Sequence, residues 1–152
     1  MHSITIQEAD FNLAEEMAKA EDAATNAGAL VSFTGQVRGH DHDKPLSHLF
    51  LEYFPGVTEQ EIDKIVVQAK ERWPILYVRV YHRVGRIDAG ENIVLVITAS
   101  EHRKAAYQAN EFIMDYLKTQ APFWKKEHFV DGEAHWVEMK DSDLEHTESW
   151  QN

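Results

Sequence analysis

The sequence predicts a single α+β domain with a mostly antiparallel sheet and two to three helices. Strand-like segments follow one another in pairs instead of alternating strictly with helices, which argues against a doubly wound parallel sheet. Helical patterns are few, and one of them, near residues 100–119, dominates the second half of the chain. No internal repeat and no linker divides the 152 residues, and a 43% hydrophobic content suits one well-buried core.

His2 to Glu8 alternate loosely around Ile4 and Ile6 and read as a short strand. Residues 11–25, rich in Ala, Glu, Met and Lys, suit a helix that ends before Asn26 and Gly28. Ala29 to Val37 has the β-branched and aromatic content of a strand. Arg38 to Pro45 reads as a polar loop, and Leu46 to Phe54 as the next strand, with Leu49, Leu51 and Tyr53 opposite His48, Phe50 and Glu52. Thr58 and Glu61 have capping-box spacing. The helix they would open carries Ile62, Ile65, Val66, Ala69 and Trp73 on one face and stops at Pro74. Ile75 to Val84 and Asn92 to Ala99 are strands joined through a turn, Gly85 to Gly90. The stretch Ser100 to Lys126 then reads as a long amphipathic helix with Ser100 as N-cap. Ala105, Ala109, Phe112, Ile113 and Tyr116 form its buried face, and the chain turns at Thr119–Ala121 ahead of Pro122. Lys125 to Val130 and Ala134 to Met139 form a last hairpin around Asp131-Gly132, and the acidic tail from Lys140 reads as loose, with Trp150 a possible anchor.

The net charge of −11 is concentrated in the two ends, while residues 31–130 are balanced, with local basic points. Such a surface is a poor partner for duplex nucleic acid, whose binding rests on neutralising phosphates. No apolar run is long enough to span a membrane and no secretory signal is visible, so a cytoplasmic protein is expected. Cysteine is absent, which excludes a disulfide framework, a thiolate metal site and any sulfur carried on this chain's own thiol.

Several residues exceed what a core requires. His102 and Arg103 sit in the first turn of the long helix, where free backbone N–H groups favour an anion. Lys118 and Lys125 bracket its exit around an apolar Ala-Pro-Phe-Trp step. Lysines there complement the helix dipole, and burial beside Phe123 and Trp124 would also lower a lysine pKa toward values useful in catalysis; both readings stand. His102 and Lys118 are 16 residues apart, about 24 Å on a straight helix at about 1.5 Å per residue. One small substrate cannot touch both within a subunit, so joint action requires a two-fold dimer with shared sites. His40 to Asp43 is a metal suspect by residue type, but without a downstream partner at a recognised spacing it reads as a solvated turn, and no metal is assigned. His82 to Arg86 has the form of an anion nest, against the plainer reading of a turn with solvated arginines.

Five blocks carry a resemblance: V-S-F-T-G-Q-V-R-G (31–39), L-E-Y-F-P-G-V (51–57), H-R-V-G (82–85), H-R-K-A-A-Y (102–107) and F-I-M-D-Y-L-K-T-Q-A-P-F-W-K-K-E (112–127). Together they resemble the large subunit of molybdopterin synthase, the MoaE family, over roughly residues 29–139. The resemblance implies an α/β-hammerhead fold and a sulfurtransferase of molybdenum cofactor biosynthesis, with no cofactor of its own. Its substrate would be cyclic pyranopterin monophosphate (precursor Z). Its partner would be a small ubiquitin-like MoaD-type subunit ending in a Gly-Gly thiocarboxylate, around a central homodimer in a heterotetramer. It implies Lys118 and Lys125 as catalytic, with Arg38, His102 and Arg103 binding the phosphate-bearing pterin. Phe33 and Met114 would be pocket wall, Lys126 and Glu127 would extend the second lysine motif, and Lys140 stands where relatives often carry a basic residue. The competing class is a non-catalytic dimer that binds a phosphate or nucleotide with the same basic cluster.

Overall fold

A computed structural model describes residues 1–151. In chain order the elements are β1 (His2–Gln7), α1 (Leu13–Ala23), β2 (Ala29–Gln36), β3 (His40–Asp41), β4 (Lys44–Tyr53), α2 (Val57–Arg72), β5 (Ile75–Arg83), β6 (Gly85–Asp88), β7 (Asn92–Ser100), α3 (Arg103–Leu117), β8 (Phe123–Phe129), β9 (Ala134–Trp136) and α4 (Asp141–Glu148). Two sheets result. The first has the order β1-β5-β7-β2 and the second β3-β4-β8-β9, with β6 added alongside β4. Every pairing is antiparallel except β1 with β5. The α+β reading with a mostly antiparallel sheet therefore holds.

The first sheet is covered on both faces, and the alternation of its central strands shows how. Val78, Val80, Val94 and Val96 meet Ile62, Ile65 and Val66 of α2 and Phe112 and Ile113 of α3. The intervening Tyr77, Tyr81, Leu95 and Ile97 meet Phe11 and the α1 residues Met17 and Ala20 on the opposite face. Such two-sided burial explains why these strands read as nearly continuous apolar runs. The second sheet closes over Val37, Leu46, Leu51, Val84, Ile87 and Phe129. Ile6, Ile93 and Phe123 pack against both the α2/α3 core and this one, so the two sheets share a seam.

Several local expectations are corrected. Ser100 does not cap α3: it ends β7, and its hydroxyl donates to the Pro74 carbonyl at 2.9 Å. His102, with extended backbone, is the N-cap, and the buried face runs through Ala106, with Ala105 only half-buried. Thr58 and Glu61 do not form the capping box. The α2 cap is Gly56, whose N–H donates to Glu59 at 3.1 Å, and Thr58 instead accepts from the Phe54 N–H and donates to the Pro122 carbonyl at 3.0 Å. Residues 85–88 are a strand, because His48–Leu51 of β4 pair with them on one edge and with β8 on the other. Arg38–Pro45 is an ordered hairpin whose turn residues, His42 and Asp43, have φ of 51° and 59°, the backbone that a two-residue turn requires.

The tail is neither helix-free nor loose. It forms α4, which makes four helices among the described residues, and the half-buried Trp150 beyond it packs edge-on against Trp73 and Phe112, both at 5.5 Å.

Candidate functional site

Helix α3 carries candidate residues at both ends. Its start is reached through a close crossing: a Cβ on Gly28 would lie 2.2 Å from the Glu101 carbonyl oxygen, so only glycine fits there. Beyond Glu101, His102 and Arg103 are exposed, and they line a shallow groove with Lys104, Tyr107 and Gln108. At this end backbone N–H groups are free to meet an anion. With 15 helical residues between them, His102 and Lys118 cap opposite ends of α3, and the spacing of about 24 Å stands.

The exit is where charge converges. Lys118 is the exposed C-cap residue, its N–H donating to the Met114 carbonyl at 3.3 Å. Met114, one turn earlier, is half-buried against the α2/α3 core. After the turn at Pro122, β8 places Lys125 opposite Leu51 and Glu127 opposite Leu49. Both therefore share the face of β4 that turns toward the core, and Lys126 points the other way. Lys126 lies 5.5 Å from the centre of the Trp136 ring and is not gathered with Lys125 and Glu127.

Burial pulls the pKa of Lys125 down from its ordinary value, and the nearby positive charge of Lys118 pulls it further. Phe123 stacks on His82 at 3.9 Å and 16°. His82 is buried and holds its proton poorly, with a pKa lowered to about 4 chiefly by desolvation, while Nδ1 lies 2.8 Å from the Arg83 carbonyl. A neutral imidazole and an aromatic ring thus floor the lysine site. Arg83 is not a solvated turn residue: its guanidinium is buried and donates to the Glu8 and Asn92 carbonyls. That leaves no anion nest at His82–Arg86.

Arg38 and Glu127 meet through a residue that sequence reasoning set aside. Asp41 Oδ2 lies 3.7 Å from Arg38 and 4.0 Å from His42, whose ring is 3.9 Å from Glu127. Glu127 is only 6% exposed, and its carboxyl hydrogen-bonds that of Asp41. Burial first and this carboxyl neighbour second raise the Glu127 pKa to about 7, while Asp41 is held below its usual value. Two carboxyls in contact hold one proton between them, as like charges at that distance cannot both ionise freely. The His40–Asp43 motif therefore does have a distant partner, Glu127, and the three ligand atoms lie within 4.8 Å. The shared proton and the Arg38 guanidinium supply the positive charge this cluster needs. Only the strand register could have foretold the contact, since 86 residues separate Asp41 from Glu127.

Phe33 pairs with Val96 across β2 and β7, which puts it on the α3 side of the first sheet at an edge, 40% exposed. An apolar ring in the open beside α3 is suited to a wall for a planar ligand.

The sequence profile of the family described as "MoaE protein" matches residues 6–120. The chain belongs to the MoaE family. A molybdopterin synthase catalytic subunit of Mesorhizobium japonicum is 48% identical over 151 residues, 99% of this chain and 94% of that protein. A molybdopterin biosynthesis MoaE protein from Burkholderia ambifaria superposes with a TM-score of 0.85 at 41% identity, covering 100% of this chain and 99% of that one. A protein–protein complex of subunits 1 and 2 of molybdopterin-converting factor from Helicobacter pylori contains a chain with a TM-score of 0.72 at 21% identity, covering 91% and 90%. At that identity the last supports the fold alone. As a MoaE chain the molecule bears out the family resemblance, and the matched span, residues 6–120, includes both ends of α3. Among the described residues no helix is long and apolar enough to cross a membrane.

Proposed function

We propose that this chain is the catalytic subunit of a molybdopterin synthase. It transfers sulfur from the C-terminal thiocarboxylate of a small MoaD-type partner to precursor Z, building the dithiolene of molybdopterin. The observation that carries this reading is the convergence of Lys118 with a half-buried, pKa-lowered Lys125 at the exit of α3, in a family whose relatives bear that enzyme name. Those names also favour an enzyme over a phosphate-binding module.

In this reading Lys118 and Lys125 hold the partner's extended tail against the pterin and move protons as sulfur is transferred. The low pKa of Lys125 lets it lend and recover a proton near neutral pH more readily than an exposed lysine does. Glu127, which titrates near neutrality, is placed two residues along the same face to take part in that traffic. Arg38 stabilises negative charge on the cyclic phosphate and on the oxygen released when the ring opens. The chain has no cysteine, so the sulfur must arrive on another polypeptide. The partner's tail would thread into the pocket as an extended segment.

His102 and Arg103 complete this site only if they come from a second copy. We therefore include a two-fold dimer in the proposal, with the entrance of one α3 facing the exit of the other, inside a heterotetramer with two small subunits. Phe33 and Met114 supply apolar wall, and Lys126, on the outward face of β8, contributes to the partner contact instead of the pterin.

The test is molybdopterin formation from precursor Z by the purified chain together with a thiocarboxylated Gly-Gly partner. Turnover is expected, and Lys118→Ala should reduce it by at least a hundredfold, about 2.7 kcal/mol of barrier. Full activity in Lys118→Ala would remove the assigned mechanism.

A further inference from the structure

Helix α4 has eight residues and a polar sequence, D-S-D-L-E-H-T-E, too short to hold itself together in water. Its stability must come from where it docks, and the docking is concentrated on two residues that flank Lys118. Thr147 is 5% exposed, and its hydroxyl lies 3.1 Å from both the Asp115 and the Asp143 carbonyls and 2.7 Å from the Thr119 hydroxyl, which is itself 3.3 Å from the Asp115 carbonyl. Trp150 donates its indole N–H to the Asp115 carboxylate at 2.7 Å, and Arg72 donates to the Trp150 carbonyl at 2.7 Å.

The Asp115 carbonyl is one of the last four of α3, which have no partner within the helix. The N–H of Thr119, which would normally bond to it, turns to Tyr116 instead. One of two threonine hydroxyls donates in its place and the other donates to the first, so Thr119 and Thr147 of α4 close the helix end together. The C-terminal segment thus supplies the cap of the helix end that carries Lys118.

We propose that the C-terminal segment, α4 with Trp150, is a positioning element of the lysine site: Thr147 and Trp150 lock the turn that carries Lys118. This rests on the lysine-site reading of the function for its catalytic consequence, but its structural content stands apart from turnover.

The experiment uses the full chain. Thr147→Val, and separately Trp150→Phe, which keeps an aromatic ring and loses the indole N–H, should each speed amide hydrogen exchange at Lys118 and Thr119 several-fold, while Thr147→Ser, which keeps the hydroxyl, should leave it at the wild-type rate. In synthase assays Thr147→Val should lower kcat several-fold with KM little changed, and Thr147→Ser should restore it. Wild-type exchange in both Thr147→Val and Trp150→Phe would overturn the positioning role, and if one variant fails to fold the other decides. Wild-type kcat in a Thr147→Val chain whose exchange has changed would overturn the catalytic consequence. Absence of turnover in the wild-type chain would count against the proposed function, leaving the exchange result to judge the C-terminal segment.

Discussion

The strongest quantitative consequence of the α3 geometry is a complementation test. Lys118 and Arg103 sit at opposite ends of the helix, about 24 Å apart along it for His102 to Lys118. A single pterin phosphate does not bridge that length. In a two-fold dimer with shared sites, each site takes Lys118 from one chain and Arg103 from the other. Lys118→Ala and Arg103→Ala homodimers then have both sites broken. A mixed dimer has one site with both defects and one with neither. If the two variants are co-expressed in equal amounts and pair at random, about half of the dimers are mixed, and about a quarter of all sites are intact. The assay is molybdopterin formation, compared with each parent variant and with wild type, on a sample whose mixed-dimer content is measured by native mass spectrometry. The expected result is about 25% of wild-type activity from two nearly inactive parents. If both residues served the same subunit's site, every chain would carry a defect and the mixture would be as inactive as its parents. Mixed dimers with no recovered activity would refute the shared-site geometry.

Two further outcomes test the electrostatics and the core. Glu127 has its pKa raised from 4.5 to about 7 in the folded chain, so its protonated form favours folding. That contribution is present below the ordinary carboxylate pKa and is lost as pH rises through about 7. Urea unfolding should therefore show this contribution falling away between about pH 4.5 and 7 and levelling off above that. Asp41→Asn, which removes the like charge and leaves the burial, should lower the Glu127 titration by about one unit and flatten that fall; a carboxyl NMR titration that stays near 7 would contradict the proton-sharing pair. Phe112, 1% exposed and ringed by Trp73, Tyr116 and Trp150, is the centre on which α2, α3 and the C-terminal segment meet. Phe112→Ala should cost about 3–5 kcal/mol. At about 2–4 °C per kcal/mol for a chain of this size, that lowers the thermal midpoint by on the order of 10 °C; a loss under about 1 kcal/mol by denaturant melt would mean the site collapses around the gap.

What the sequence made legible, and what it hid, follows from the range over which each signal acts. Periodicity is local, and it located β5, β7, α2 and α3 within a few residues because Val78, Val80, Phe112 and Ile113 obey fixed repeats. Capping is also local but ambiguous: Thr58–Glu61 and Gly56–Glu59 both have the three-residue spacing of a cap, and the backbone chose glycine with φ of 87°, a conformation that threonine would resist. The tail escaped altogether, since nothing in D-S-D-L-E-H-T-E favours a helix; α4 exists because Thr147 and Trp150 find Asp115, more than 30 residues upstream. The site divides along the same line. Lys118 and Lys125 could be suspected from seven residues of sequence, as the turn at Pro122 brings them together. Asp41 could not: it was set aside as part of a solvated turn, and only the β3–β4–β8 register carries that turn to Glu127. Burial first, and that contact second, turn an ordinary glutamate into one that titrates near neutral pH. The chemistry of this site is therefore set as much by strand pairing as by the residues a motif displays, and Asp41 is the position where a change outside the family blocks would be felt at Glu127.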